Sequence, residues 1–169
     1  ATDTQFEDDD YLLMCYGCVQ EAIVFGENLE MVRRILSIAG ENGIQIHDEV
    51  TNHGFDPMPH MMLYHINLGW PIVTSDSALV TSGDPANVAA RDGIAAPGLP
   101  ECYRFEEPRS SYPEQVFYHA LEPDQDGFCQ AAIINNVLKG GFGVGITWSH
   151  DTLPNLVQWK SMKRGTYVC

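Results

Sequence analysis

The stretch Pro57-Met58-Pro59-His60-Met61-Met62-Leu63-Tyr64-His65-Ile66-Asn67-Leu68-Gly69-Trp70-Pro71 decides how the chain is read. Between proline punctuators runs an apolar segment, Met61 to Leu68, interrupted by His65 and Asn67. It is short for a helix and rich in large apolar side chains, which predicts a buried strand. Strand alternation puts His65 and Asn67 on one face with Met61 and Leu63, and His60, Met62, Tyr64 and Ile66 on the other. An imidazole and an amide on one buried face each need a partner, since an unsatisfied polar group costs about 1–3 kcal/mol. Two readings follow: a core histidine with its hydrogen bonds satisfied, or the polar floor of a ligand cleft.

Working outward, 169 residues suit one domain with a sizeable core. The formal charge of −14, from 23 acidic and 9 basic residues, argues against nucleic acid or an anionic membrane surface as partner. It leaves neutral ligands such as sugars open. No apolar run reaches the length of a bilayer span. The chain starts at Ala1 without a signal peptide, consistent with a trimmed terminus or an excerpt from a longer protein. Five cysteines, Cys15, Cys18, Cys102, Cys129 and Cys169, make an odd number without framework spacing. That pattern predicts reduced thiols and a cytoplasmic protein. The lone Cys15-x-x-Cys18 sits inside a strand-like run, which weakens it as a redox or zinc motif.

Residues 1–10 read as a frayed acidic lead-in. Tyr11–Val19 and Glu21–Phe25 read as strands. Asn28–Ala39 fits a helical stripe or a two-faced strand, and its β-rich neighbourhood favours the strand. Ile44–Thr51 alternates as a half-buried strand. Residues 75–113, rich in Gly, Pro, Ala, Ser and Asp, predict a long irregular connection without splitting the chain. Strands are expected again at Gln115–His119, Phe128–Asn135, Gly141–Ser149 and Leu156–Lys160. The alternating glycines 141, 143 and 145 lie in a strand with no helix or Lys-Ser/Thr after them, so a phosphate loop is discounted. Short strands with frequent turns predict an all-β sandwich.

Polar groups interrupt the apolar strands at a few further places. Glu114 leads into Gln115-Val116-Phe117-Tyr118-His119, and Asn155-Leu156-Val157-Gln158-Trp159-Lys160 places Gln158 and Lys160 opposite Val157 and Trp159. Aromatic faces receive sugar C–H groups, and mixed donors and acceptors receive the hydroxyls. The plain alternative is that Phe117, Tyr118 and Trp159 are core.

These residues carry a resemblance. The segments Phe25-Gly26-Glu27-Asn28-Leu29, Ile46-His47-Asp48, Pro59 to Pro71, Tyr112 to His119, Leu153-Pro154-Asn155-Leu156, Gln158-Trp159-Lys160 and Gly165-Thr166-Tyr167-Val168 recur in order across nearly the whole chain. The chain thereby resembles the central-to-C-terminal part of a little-characterised branch of the aldose 1-epimerase (galactose mutarotase-like) superfamily. The resemblance implies a β-supersandwich, here shortened at both ends, forming a single partial domain over 1–169. It further implies a monosaccharide or sugar derivative as ligand, interconversion of its anomers by acid/base ring opening, and no metal or organic cofactor. It places the acid at His65, with His60 as substitute if a bulge shifts the register. Asn67, Glu114, Gln158, Trp159 and Lys160 then contact the sugar.

Relatives in this branch are longer, carry a His-Gly-Arg segment that is absent here, and continue into Leu-Glu-Pro after the Thr-Tyr-Val equivalent. Their late glutamate is the expected base, and this sequence stops at Cys169. A carbohydrate-binding module without turnover is therefore the first alternative. A cupin-like metal site from His60, His65, Glu114 and His119 is the second. Its pairs are spaced by five, which puts their members on opposite faces of a regular strand. Uncovered strand edges predict self-association.

Overall fold

A computed structural model describes residues 1–168, with side chains described through Gly165. Its regular structure is almost entirely antiparallel β, in the order β1(Thr2–Glu7), β2(Asp10–Ala22), β3(Asn28–Ile38), β4(Gln45–Asn52), β5(Ser77–Thr81), β6(Val88–Ala90), β7(Gln115–His119), β8(Phe128–Asn135), β9(Phe142–Ser149), β10(Leu156–Lys163) and β11(Thr166–Val168). Two short 3-10 turns lie at Ala96–Glu101 and Leu138–Gly140. Among the described residues no helix is long and apolar enough to cross a membrane. The chain divides into two compact units, residues 1–63 and 64–169.

The first unit is a four-stranded meander, β1-β2-β3-β4. The acidic lead-in is no frayed tail, because Thr2–Glu7 pairs with Asp10–Cys15 through a tight reversal at Asp8, whose φ is 54°. The ambiguous segment after Asn28 is a strand along its whole length, paired on both sides. On one face, Arg33 donates Nε and Nη2 to the two oxygens of Asp48, at 2.7 and 2.6 Å. Cys15 and Cys18 are three residues apart on β2, so they point to opposite faces and cannot share a metal or a disulfide.

The second unit holds two sheets, β11-β10-β7-β6 and β5-β8-β9. They pack through Ile133 of β8 and Met162 of β10, with Ile72, Val73, Phe105 and Tyr112 completing the cluster. A second cluster places Phe117 of β7 against Ala95 and Cys102. Residues 75–113, expected as an irregular connection, contain β5, β6 and the first 3-10 turn. That turn lies tight on β7, and a Cβ at Gly98 would overlap the side-chain amide of Gln115.

The central stretch corrects the first expectation. Residues 57–69 belong to no strand or helix, and Met61 and Leu63 are exposed. Three prolines in fifteen residues remove ladder donors and restrict their predecessors to extended conformations, which disfavours sheet pairing however apolar the run. Only its end is buried, where Leu68, Ile72 and Val73 enter the core. Asn135 pins that end: its Nδ2 donates to the Ile72 carbonyl and Thr74 Oγ1 at 3.3 and 3.0 Å. Its Oδ1 accepts the Val137 and Leu138 amides at 3.0 and 2.9 Å.

Candidate functional site

The register of β7 and β10 determines which predicted site residues can meet. Gln158 pairs with Phe117, Trp159 with Val116 and Lys160 with Gln115, so successive residues face alternate sides of the sheet. The sequence separates the two sets correctly. It does not say which side is the interior, and the interior is the more polar one.

Gln158 and Lys160, expected to line a sugar cleft, point inward and are buried. Lys160 donates Nζ to the carbonyls of Glu101 and Arg104, at 3.0 and 2.6 Å, and lies 5.8 Å from the centroid of Phe105. It thus satisfies carbonyls at the end of the 3-10 turn, where the helical pattern leaves acceptors unpaired. Gln158 sits in a chain of polar contacts. Its Nε2 donates to the Cys102 carbonyl at 2.9 Å, and its Oε1 lies 2.9 Å from His119 Nε2. Tyr103 Oη stands 3.2 Å from His119 Nδ1. Donors and acceptors match throughout when the imidazole is neutral, with Nε2 protonated and Tyr103 donating to Nδ1. Burial drives the His119 pKa below its usual value, and the Gln158 hydrogen bond opposes this only in part. Both ring nitrogens are occupied, which removes His119 from the metal set considered in the sequence. No group of three or more His, Cys, Asp or Glu suited to a metal ion occurs among the described residues.

Glu114 and Trp159 meet on the outer face. The indole N–H of Trp159 donates to Glu114 Oε2 at 2.9 Å, while Arg91 Nη2 stands 3.9 Å from Oε1. Arg91 follows β6, and its amide bonds the Val116 carbonyl, which continues the ladder and brings its side chain to this face. Asp92 accepts Arg91 Nε at 2.9 Å and, through its other oxygen, the amides of Ile94 and Ala95. The Arg91 hydrogen bond and these amides hold the Asp92 carboxyl below its usual pKa. Tyr118, Val157 and the half-exposed Trp159 extend the same face. An aromatic ring beside a carboxylate and a guanidinium can stack on an apolar ring face and bind hydroxyls at its edge. The sequence singles out Glu114 and Trp159 as candidates but not Arg91, which no local motif marks.

His65 and Asn67 are exposed on the irregular segment that opens the second unit, and neither side chain makes a hydrogen bond among the described residues. His60 is exposed and falls in the first unit. The described geometry brings Glu114, Trp159 and Arg91 together and Gln158, Lys160 and His119 together, on opposite sides of one sheet.

A β-sandwich of this kind is the galactose mutarotase-like fold. The chain resembles the crystal structure of a candidate aldose 1-epimerase from Klebsiella pneumoniae subsp. pneumoniae MGH 78578, with a TM-score of 0.89 and 25% identity. The match covers 99% of this chain and 43% of that one, so the chain spans less than half the length of its structural neighbour. Residues 1–169 match the DUF4432 family, described as a domain of unknown function, and the chain belongs to that family. No curated protein matches it.

Proposed function

We propose that this protein is an aldose 1-epimerase-like, carbohydrate-binding protein that holds a monosaccharide or sugar derivative on the outer face of the β6-β7-β10 sheet. The single observation behind the site is the Trp159–Glu114 hydrogen bond of 2.9 Å on an exposed aromatic face. The likeness of nearly the whole chain to a candidate aldose 1-epimerase supports the class. In this reading Trp159 receives the C–H face of the sugar, and Glu114 and Arg91 bind hydroxyls at its rim. Asn67 adds an amide from the irregular segment that opens the second unit.

Anomer exchange needs only proton transfer. A base takes the proton from the anomeric hydroxyl, an acid protonates the ring oxygen, and the C1–O5 bond breaks to give the open aldehyde. Rotation about C1–C2 presents the other carbonyl face, and the reverse transfers close the ring. His65 serves as the acid, since an imidazole can both give up and take back the proton that opening and closing the ring require. The site does not use His60, Gln158 or Lys160.

A second reading, binding without turnover, is favoured by the partners Glu114 has. They are an indole and a guanidinium, with no imidazole beside it in the described contacts. Calorimetry against a panel of aldoses, run beside polarimetric equilibration of a pure anomer, separates the two. Accelerated equilibration that is lost in His65→Asn supports the epimerase reading. Saturable heat without acceleration leaves the binding module, and neither signal with any sugar overturns both.

A further inference from the structure

Three of the chain's nine basic residues, Arg109, Lys163 and Arg164, come together at the end of β10. A parallel bridge joins Arg109 to Lys163: the Arg109 amide bonds the Met162 carbonyl at 3.0 Å, and the Arg164 amide bonds the Arg109 carbonyl at 2.6 Å. Backbones so paired lie about 4.8 Å apart. Arg164 follows in the two-residue reversal into β11, where Gly165 supplies the left-handed conformation at a φ of 91°. Like charges set opposite each other across strands are destabilising. In a chain with 23 acidic residues, an acid at any of these three positions would remove that cost.

The acids nearby do not neutralise the group. Glu106 accepts Arg109 Nη2 at 2.9 Å, and the Arg109 guanidinium is steadied over the Tyr112 ring, 5.0 Å from its centroid. Glu107 is engaged by the Ser75 hydroxyl. Lys163 and Arg164 are exposed, and neither has a side-chain hydrogen bond or ion pair among the described residues. Three cations against the one carboxylate of Glu106 leave a local excess of positive charge in an otherwise acidic chain.

Lys163 has the parity of Trp159 on β10, so the two side chains share the outer face, about 13 Å apart along the strand. The four-carbon stem of Lys163, leaning along the strand, and the exocyclic arm of a sugar span that gap together. Around Trp159, Glu114 and Asp92 outnumber Arg91, so that end of the face is net negative. The face is thus polarised, negative where hydroxyls would be held and positive four residues further along. We infer that Arg109, Lys163 and Arg164 form an anion subsite for an acidic sugar, whose ring lies on Trp159 and whose phosphate monoester or carboxylate meets the three cations. The inference rests on the proposed sugar-binding function of this face. A guanidinium takes either anion through paired N–H donors, and an ammonium takes it as a point charge. The same polarity orients the ligand, since its acidic group is drawn to the β10–β11 turn and repelled by Glu114.

Calorimetry of the 169-residue chain against glucose, glucose 6-phosphate and glucuronate tests this. At least one acidic sugar should bind about tenfold tighter than glucose at low salt, and the gap should narrow as salt is raised. The 6-phosphate and the uronate, compared, tell which anion the subsite takes. Lys163→Gln should bring the acidic sugars close to glucose, and Lys163→Arg should keep most of the preference. Lys139→Gln removes the same charge from the turn before β9 and should leave the preference intact, which separates a local subsite from net charge. Glucose binding without preference for either acid overturns the subsite and leaves the sugar function standing. Binding of none of the three removes that function and the subsite with it. A preference that survives Lys163→Gln, or falls equally in Lys139→Gln, overturns the subsite alone.

Discussion

The two faces of the sheet formed by β6, β7 and β10 are built on opposite principles. Inward lie Gln115, His119, Gln158 and Lys160, a polar set with almost no exposure. Outward lie Val157, Tyr118, Trp159 and Glu114, which are richer in apolar surface and open to solvent. The inner polar groups reach carbonyls and one another, fastening residues 101–104 to the strands. The outer ones are reachable by a ligand. Polarity in a strand therefore marks a ligand site only when the side chain is left accessible.

This contrast makes inner-face substitutions chiefly matters of stability and, on the proposed function, outer-face substitutions chiefly matters of binding. The largest effect is expected from Lys160→Ala. It strands two buried carbonyls and opens a cavity, so chemical denaturation should show a loss of about 3–5 kcal/mol. Lys160→Met should recover part of that by filling the space while leaving the carbonyls unpaired. Full recovery would show that the side chain acts by volume alone.

Gln158→Leu comes next. It removes the partner of His119 Nε2 and the donor to the Cys102 carbonyl, so a loss of about 2–3 kcal/mol is expected in the same measurement. Its outward neighbour Val157, changed to Ala, should cost under about 0.5 kcal/mol, as surface positions do. Equal costs at the two positions would dissolve the distinction between the faces.

Protonation probes the inner face without mutation. The native His119 pKa lies below the unfolded value of about 6.5. Above that value neither state binds the proton, and this group leaves stability independent of pH. Between the unfolded and the lowered native value the unfolded chain takes up a proton that the native one refuses, so stability falls as pH falls. The slope approaches about 1.4 kcal/mol per pH unit at most. Denaturation midpoints of the native chain and of His119→Gln, measured from pH 8 to pH 5, should keep a constant offset above pH 6.5 and converge toward the acid end. A constant offset down to the acid end would mean that folding leaves the imidazole's pKa where it is in the unfolded chain.

How much of this was legible follows from which physical signal each segment carries. The limits of β7 and β8 coincide with the sequence reading, because hydrophobic alternation bounded by turn residues is a local signal. The strand at Asn28–Ile38 was ambiguous by periodicity, and its pairing with β2 and β4 settled it. Residues 57–69 misled because their apolar content suggested burial, while their prolines forbade the ladder that burial requires. Gln158 and Lys160 were assigned to the right common face of β10. Alternation has no sign, however, and only the turn at 96–101, packed against that face, makes it the interior. Arg91 was invisible because its neighbours Glu114 and Trp159 lie 23 and 68 residues away in sequence.

The smallest stability effect should come from the outer face, where the functional effect should dominate. In Glu114→Gln the indole N–H of Trp159 still finds an oxygen acceptor, and the guanidinium contact it loses is long, at 3.9 Å, and largely solvated. Exposed pairs of this sort contribute little to folding, so the denaturation midpoint should not move. The proposed sugar binding should respond nonetheless. A neutral amide accepts hydroxyl hydrogen bonds less strongly than a carboxylate, about half as strongly by the usual comparison, and a fall of roughly threefold in affinity is expected by calorimetry. Trp159→Phe keeps an apolar ring but loses the indole N–H that orients Glu114, so it should weaken binding to a similar degree. If both variants bind as the native chain does while Lys160→Met does not, the ligand is held on the other face, and the division of labour within the sheet runs opposite to the one its exposure suggests.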